Sequence, residues 1–216
     1  TKKDILEFYD IPENKIYVTH LANSLSANAD QSSAFSVPDK YALFVGNRGG
    51  YKNFYFFLQG FAKVARKHSD LHLVCTGSKF SGEELMYIEN LNLANRVSQF
   101  YADDHQLANL YRNALFFAFP SLYEGFGIPV LESFENHCPA LLANSSSLPE
   151  VGGDAALYFE PKSITSLCNS LEKLITDENL RKELIKKGNE RLQLFSWKNT
   201  AHKTLEVYEK VLKKNS

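Results

Sequence analysis

From Tyr41 onward the chain alternates between short apolar runs and longer stretches whose apolar positions recur every three or four residues. Tyr41–Gly46 (YALFVG), Leu71–Thr76 (LHLVCT), Val97–Tyr101, Leu115–Phe119, Ala140–Ala143 and Ala156–Phe159 read as strands. Between them, Phe54, Phe57, Leu58, Phe61, Ala62 and Ala65 mark one face of a helix, and further helices are predicted over Glu83–Leu93, Asp104–Asn113 and Ile128–Glu135. Strand and helix in strict alternation predict an α/β fold, with a parallel sheet covered by helices on both faces.

Three stripes at helical spacing follow. They are Ile164, Leu167, Leu171, Leu174 and Ile175; then Leu180, Leu184, Ile185 and Leu192; then Leu205, Tyr208, Val211 and Leu212. They predict C-terminal helices that use these faces for packing, with Asp177 and Ser196 as N-caps of the last two. Ahead of Tyr41 the order is looser. Lys3–Tyr9 predicts a short helix and Lys15–His20 a strand. Ser24–Asp39 is rich in Ser, Asn, Ala and Asp, and predicts a linker or surface loop.

Composition narrows the function classes. A formal net charge of −1 carries no global footprint for nucleic acid. Lys186, Lys187, Lys210, Lys213 and Lys214 gather late in the chain, but acids interleave with most of them, as on a solvated helix face. No apolar run approaches the length of a membrane span, and no signal-like segment opens the sequence. Cys75, Cys138 and Cys168 lack metal-ligand spacing, which predicts reduced thiols and a cytoplasmic location.

In an open parallel sheet, ligands bind beyond the carboxyl ends of the strands. Three loops are expected there: Gly46-Asn47-Arg48-Gly49-Gly50-Tyr51-Lys52, Gly77-Ser78, and Ser121–Gly127. The first combines glycines, which let backbone approach a ligand, with two cations suited to phosphate. The stretch EGFGIPVLE, residues 124–132, carries more information. Gly125 and Gly127 leave backbone N–H groups uncovered where a helix begins, and Pro129 suits its first turn. Such a terminus attracts an anion, typically phosphate.

Glu132 falls about one turn inside that helix, and helical side chains lean toward the N-terminus, so it can reach back to the same pocket. Two carboxylates would repel a phosphate. As pure acceptors they suit hydroxyl groups, including both hydroxyls of a vicinal diol. A nucleoside diphosphate sugar has that outline. On local sequence alone a second reading stands, in which the first loop is plain surface, Glu124 ends a loop and Glu132 is solvated. No GxGxxG, no Walker A pattern and no metal-ligand cluster occurs.

Longer stretches carry a resemblance. FVGNRGGYKN, LYRNALFFAFPSLYEGFGIPVLE with its E-x7-E spacing, LPEVGGDAALYFEP and FSWKNTAHKTLEVYEKVL together resemble the C-terminal, donor-binding domain of retaining glycosyltransferases of family 4. The similarity runs from about Tyr41 to Leu212. It implies one Rossmann-like half of a GT-B fold over residues 39–216. Residues 1–38 are then the end of an N-terminal domain plus the interdomain linker.

The resemblance also assigns roles. Glu132 would hold the ribose diol and Glu124 would face the donor sugar. Backbone N–H groups of Gly125, Phe126, Gly127 and Ile128 would contact sugar and phosphate, with Gly46, Asn47 and Gly77 lining the same donor site. Lys52 would neutralise the diphosphate. Arg48 is offset, because many members place the arginine where this chain has Asn47 and others where it has Tyr51. Its contact with phosphate stays open.

The implied reaction is glycosyl transfer with retention from a GDP- or UDP-sugar, without a metal or other cofactor, in bacterial surface-polysaccharide synthesis. The full enzyme would associate peripherally with a membrane. Its acceptor domain would be missing from this chain, which would bind donor weakly and transfer nothing. A nucleotide-sugar epimerase or phosphorylase of the same architecture is an alternative. So is a receiver-like signalling module, suggested by Asp103-Asp104 after a strand.

Overall fold

The computed structural model describes residues 2–25 and 36–214. A short helix α1 (Lys2–Phe8) opens the chain. Then come β1 (Tyr41–Phe44), α2 (Phe54–Ala65), β2 (His72–Thr76), α3 (Gly82–Asn90), β3 (Val97–Phe100), α4 (Asp104–Asn113) and β4 (Phe116–Phe119). These are followed by α5 (Ile128–Glu135), β5 (Ala140–Ala143), α6 (Leu148–Gly152), β6 (Ala156–Phe159), α7 (Ile164–Thr176), α8 (Glu178–Leu192) and α9 (Trp197–Lys214). The six strands form one sheet in the order β3-β2-β1-β4-β5-β6, and every neighbouring pair is parallel.

Helices cover both faces of the sheet, so its central strands are buried on both sides while the edge strands β3 and β6 are only partly buried. All four residues of β1, β4 and β5 are buried, which is why they read as unbroken apolar runs rather than alternating ones. α7 packs on α2, while α8 lies against α5. The α2–α7 contact depends on a missing side chain, since a Cβ at Gly60 would fall 2.8 Å from Leu167 Cγ. The Cys168 thiol, one residue on, points at the Gly60 carbonyl.

The cap assignments hold: Asp177 accepts from Leu180 N–H at 2.9 Å and Ser196 from Asn199 N–H at 3.1 Å. Three readings change. Lys15–His20 is not a strand. A 3-10 turn occupies Glu13–Lys15, and the stretch after it rests on helices, with the His20 carbonyl accepting from Thr200 of α9 and its ring bonded to Glu150 of α6. Among the described residues no strand pairs with it.

The packing role of the last stripe also fails. Leu205, Tyr208, Val211 and Leu212 are exposed, and it is Thr200, Thr204 and Val207 that turn inward. Finally, α6 was not anticipated. Most of the Ser24–Asp39 linker lies outside the described residues. No described helix is long and apolar enough to cross a membrane. The three cysteines are unpaired, and burial pushes the Cys75 and Cys138 thiols well up.

Replacing Gly60 with valine forces apart α2 and α7, because Leu167 has no room to retreat from a branched side chain. Gly60→Val is expected to lower unfolding free energy by about 1–3 kcal/mol, read from urea denaturation.

Candidate functional site

Strand order locates the site. The chain runs β1, β2, β3 toward one edge, then crosses back to place β4 on the other side of β1. At that reversal the loops leaving β1 and β4 part from one another and open a crevice. Gly46–Lys52 follows β1, and Pro120–Gly127 follows β4.

Two ties join these loops. The Leu122 N–H donates to the Tyr51 carbonyl at 2.8 Å. Lys52 Nζ meets Glu124 Oε1 at 2.6 Å, with the two side chains only 15% and 13% exposed. The ammonium also lies 4.9 Å from the centre of the Phe119 ring and 5.3 Å from that of Tyr51. A cation is therefore fixed in the crevice by one carboxylate and two aromatic faces.

The Pro120–Gly127 loop is held from beneath by three consecutive serines at the end of β5. Ser145 donates to the Ser121 carbonyl at 2.8 Å and Ser146 to that of Glu124 at 2.8 Å. Ser147 reaches the carbonyls of Glu124 and Phe126, both at 2.9 Å. The Glu124 N–H returns a bond to Ser146 Oγ at 3.3 Å. Backbone geometry here is therefore set by hydroxyls.

Helix α5 starts from Gly127, which sits at φ +99° and supplies no side-chain cap. Glycine is required there, because a Cβ would stand 3.0 Å from Leu148 Cδ2 in a left-handed conformation. Gly77 is the second such position. At φ +112° a Cβ would meet the Gly46 carbonyl oxygen at 3.0 Å, so the loops after β1 and β2 touch backbone to backbone.

Glu132, one turn into α5, accepts from the Tyr111 hydroxyl at 3.1 Å. Burial raises its pKa above the ordinary carboxylate range and the Asp104 charge adds to this, while the tyrosine bond opposes both. The Tyr111 phenol is in turn raised by its own burial and by the Glu132 charge. Glu132 and Ile128 share a pocket of about 250 Å³ with Asp104, Ser24, Leu25 and Trp197. Just before the helix start, Gly125 and Phe126 line a second pocket of about 410 Å³ with residues 16–21, Ser147 and Glu150. The opening of α5 thus faces two cavities.

The predicted residues divide accordingly. Lys52 and Glu124 meet in the crevice, Gly125 to Ile128 start α5, and Glu132 reaches back to Ile128. Gly46, exposed Asn47 and Gly77 lie on the loops at the ends of β1 and β2. Arg48 has another task. Its side chain is 2% exposed, and Nε bonds Glu84 Oε1 at 2.8 Å while Nη2 bonds the Ser78 carbonyl at 2.7 Å and the Lys79 carbonyl at 3.1 Å. Glu84 also closes the capping box of α3 with Ser81. Burial pushes the Glu84 carboxyl up, but the bonds from Arg48 and the Ser81 N–H outweigh it and leave a lowered pKa. Arg48 therefore staples the loops after β1 and β2 to α3.

The Asp103-Asp104 pair has a structural explanation too. Asp103 caps α4, accepting from Gln106 N–H at 2.8 Å while its own backbone N–H donates to Gln106 Oε1 at 3.0 Å. Sequence reasoning passed over Tyr111 and the serines. Tyr111 stands inside the LYRNA stretch, and three adjacent hydroxyls just after a buried strand were the available signal for Ser145–Ser147.

Comparison with known proteins identifies the family and the fold. The family described as glycosyl transferases group 1 matches residues 26–191. O-antigen chain mannosyltransferase B of Escherichia coli is 27% identical over 97% of this chain, which spans 58% of that relative's length. A glycosyltransferase from Rickettsia africae aligns over 100% of this chain and 62% of its own, with a TM-score of 0.82 at 22% identity. S. aureus TarM, crystallised with UDP among other ligands, gives a TM-score of 0.77 at 16% identity over 96% of this chain and 42% of its own. The fold is one Rossmann-like half of a GT-B architecture, and the chain belongs to the glycosyl transferases group 1 family.

Proposed function

We propose that this chain is the donor-binding half of a retaining glycosyltransferase that uses a nucleoside diphosphate sugar. The observation that carries the reading is the fixed Lys52 ammonium, set across the switch-point crevice beside the start of α5. An ammonium and a helix N-terminus carried on two joined loops suit a diphosphate. Two cavities lined by residues at and just before that start suit a ligand with a sugar at each end: the ribose diol on Glu132, the transferred sugar toward Gly125, next in the chain to Glu124.

In the reaction, the bond between the sugar's anomeric carbon and the β-phosphate oxygen breaks. A bond to an acceptor hydroxyl forms on the same face, and the hydroxyl proton passes to the departing diphosphate. Lys52 and the N–H groups at the start of α5 stabilise the charge that develops on the leaving group. Arg48 acts from behind, holding the loop that carries Lys52. The mannosyltransferase relative makes a mannosyl donor a natural first candidate, and the TarM structure makes UDP a second nucleotide to test. The acceptor is bound by the rest of the enzyme, so the 216 residues bind donor without turning it over.

Thermal unfolding with UDP, GDP and their sugar conjugates tests the reading. At a hundredfold excess over its dissociation constant the accepted nucleotide adds about 2.7 kcal/mol, which for a chain of this size raises the melting temperature by roughly 5–10 °C. Glu132→Ala is expected to remove most of that rise. No rise with any of the four ligands, or robust transfer by this chain alone, would contradict the proposal.

The raised pKa of Glu132 gives a second prediction. A carboxyl whose pKa is higher folded than unfolded favours the native state at low pH, and that contribution is lost as pH rises through the folded value. Glu132→Gln keeps an acceptor for Tyr111 without the buried charge. Unliganded, it should melt at or above wild type at pH 8, with the gap closing toward pH 4. A variant that melts lower at pH 8 would show that the ionised carboxylate is not a cost.

A further inference from the structure

We propose that the Lys52–Glu124 ion pair is an internal competitor for the diphosphate, so that Glu124 makes the site prefer an intact nucleoside diphosphate sugar over the bare nucleoside diphosphate. This rests on the donor-site reading above and adds a discrimination that reading does not contain. The pair is close, at 2.6 Å, and largely shielded from water. Separating such a pair leaves each charge without compensation. A diphosphate that takes Lys52 must do this, and it leaves Glu124 beside an anion.

What the ligand carries beyond its β-phosphate then decides the balance. A carboxylate only accepts hydrogen bonds, and an ionised diphosphate has none to donate. Bare nucleoside diphosphate therefore strips Glu124 of its partner and returns nothing. An intact donor brings sugar hydroxyls, which donate to Glu124 in place of the ammonium. After transfer those hydroxyls depart with the sugar, Glu124 reclaims Lys52, and the grip on the product weakens.

The surrounding geometry allows the exchange with little backbone movement. The Glu124 backbone is pinned on both sides, its carbonyl by Ser146 and Ser147 and its N–H by Ser146 Oγ, so the carboxylate changes partner by side-chain rotation. The Phe119 and Tyr51 rings give Lys52 contacts that do not depend on Glu124.

Isothermal titration of the 216-residue chain with UDP, GDP, UDP-glucose and GDP-mannose tests the inference. Glu124→Gln is expected to bind the bare diphosphate of the accepted base about three- to tenfold tighter than wild type, with no gain for the sugar conjugate. In a Lys52→Met background the same substitution should bring no gain, since the competitor then has nothing to hold. Glu124→Ala, read the same way, serves if the glutamine variant does not fold. Unchanged or weaker diphosphate binding by the glutamine variant, or an equal gain for diphosphate and conjugate, would overturn the competition while leaving the donor site intact. Failure of both wild type and variant to bind any of the four probes would overturn the donor-site reading itself.

Discussion

Lys52 and Glu124 meet across 72 residues of sequence because β4 returns to the far side of β1. A parallel sheet places all carboxyl ends on one edge, and a reversal of strand order makes two neighbouring loops diverge there. There one cation and one anion meet on joined loops, and the second loop runs into the start of α5; the proposed function rests on that arrangement. The pair also keeps both charges compensated, since an unpartnered lysine at this depth would be costly.

The neighbouring groups divide into those that serve a ligand and those that hold the scaffold. Arg48 and Glu84 compensate each other, and together they join the β1 and β2 loops to α3. Ser145, Ser146 and Ser147 hold the Glu124 loop through its carbonyls, which keeps its conformation independent of the carboxylate above. Glu132 is the opposite case. Buried and raised in pKa, it accepts from Tyr111 and is a local cost to the fold. Binding sites commonly carry such a cost, and removing it trades function for stability.

Legibility in the sequence tracked how local the determining physics was. β5, β6, α4 and α5 lie where periodicity put them, to the residue, because apolar runs and helical spacing are set by neighbours in the chain. Glycine at 127 and proline at 129 marked the start of α5 for the same reason. Lys15–His20 failed because an extended segment becomes a strand only beside a sheet edge, and edges are made by distant residues. The α9 stripe failed because periodicity identifies an apolar face but not what covers it.

Within the site, the motif residues were visible and their partners were not. No local signal shows that the Arg48 guanidinium turns to Glu84, 36 residues away, or that Tyr111 reaches Glu132 across two helices. α6 escaped because Pro149 and the Gly152-Gly153 pair look like a turn, yet the first suits a helix start and the second its end.

The most direct test of the account is an amide NMR titration of this chain with the nucleoside diphosphate it binds. The account predicts the largest shifts at the backbone amides of Gly125 to Ile128, at Lys52 and at Glu132, with β6 and the part of α9 beyond its first turn quiet. Saturable shifts confined to the segment 16–21 and α6, with the start of α5 unmoved, would contradict it.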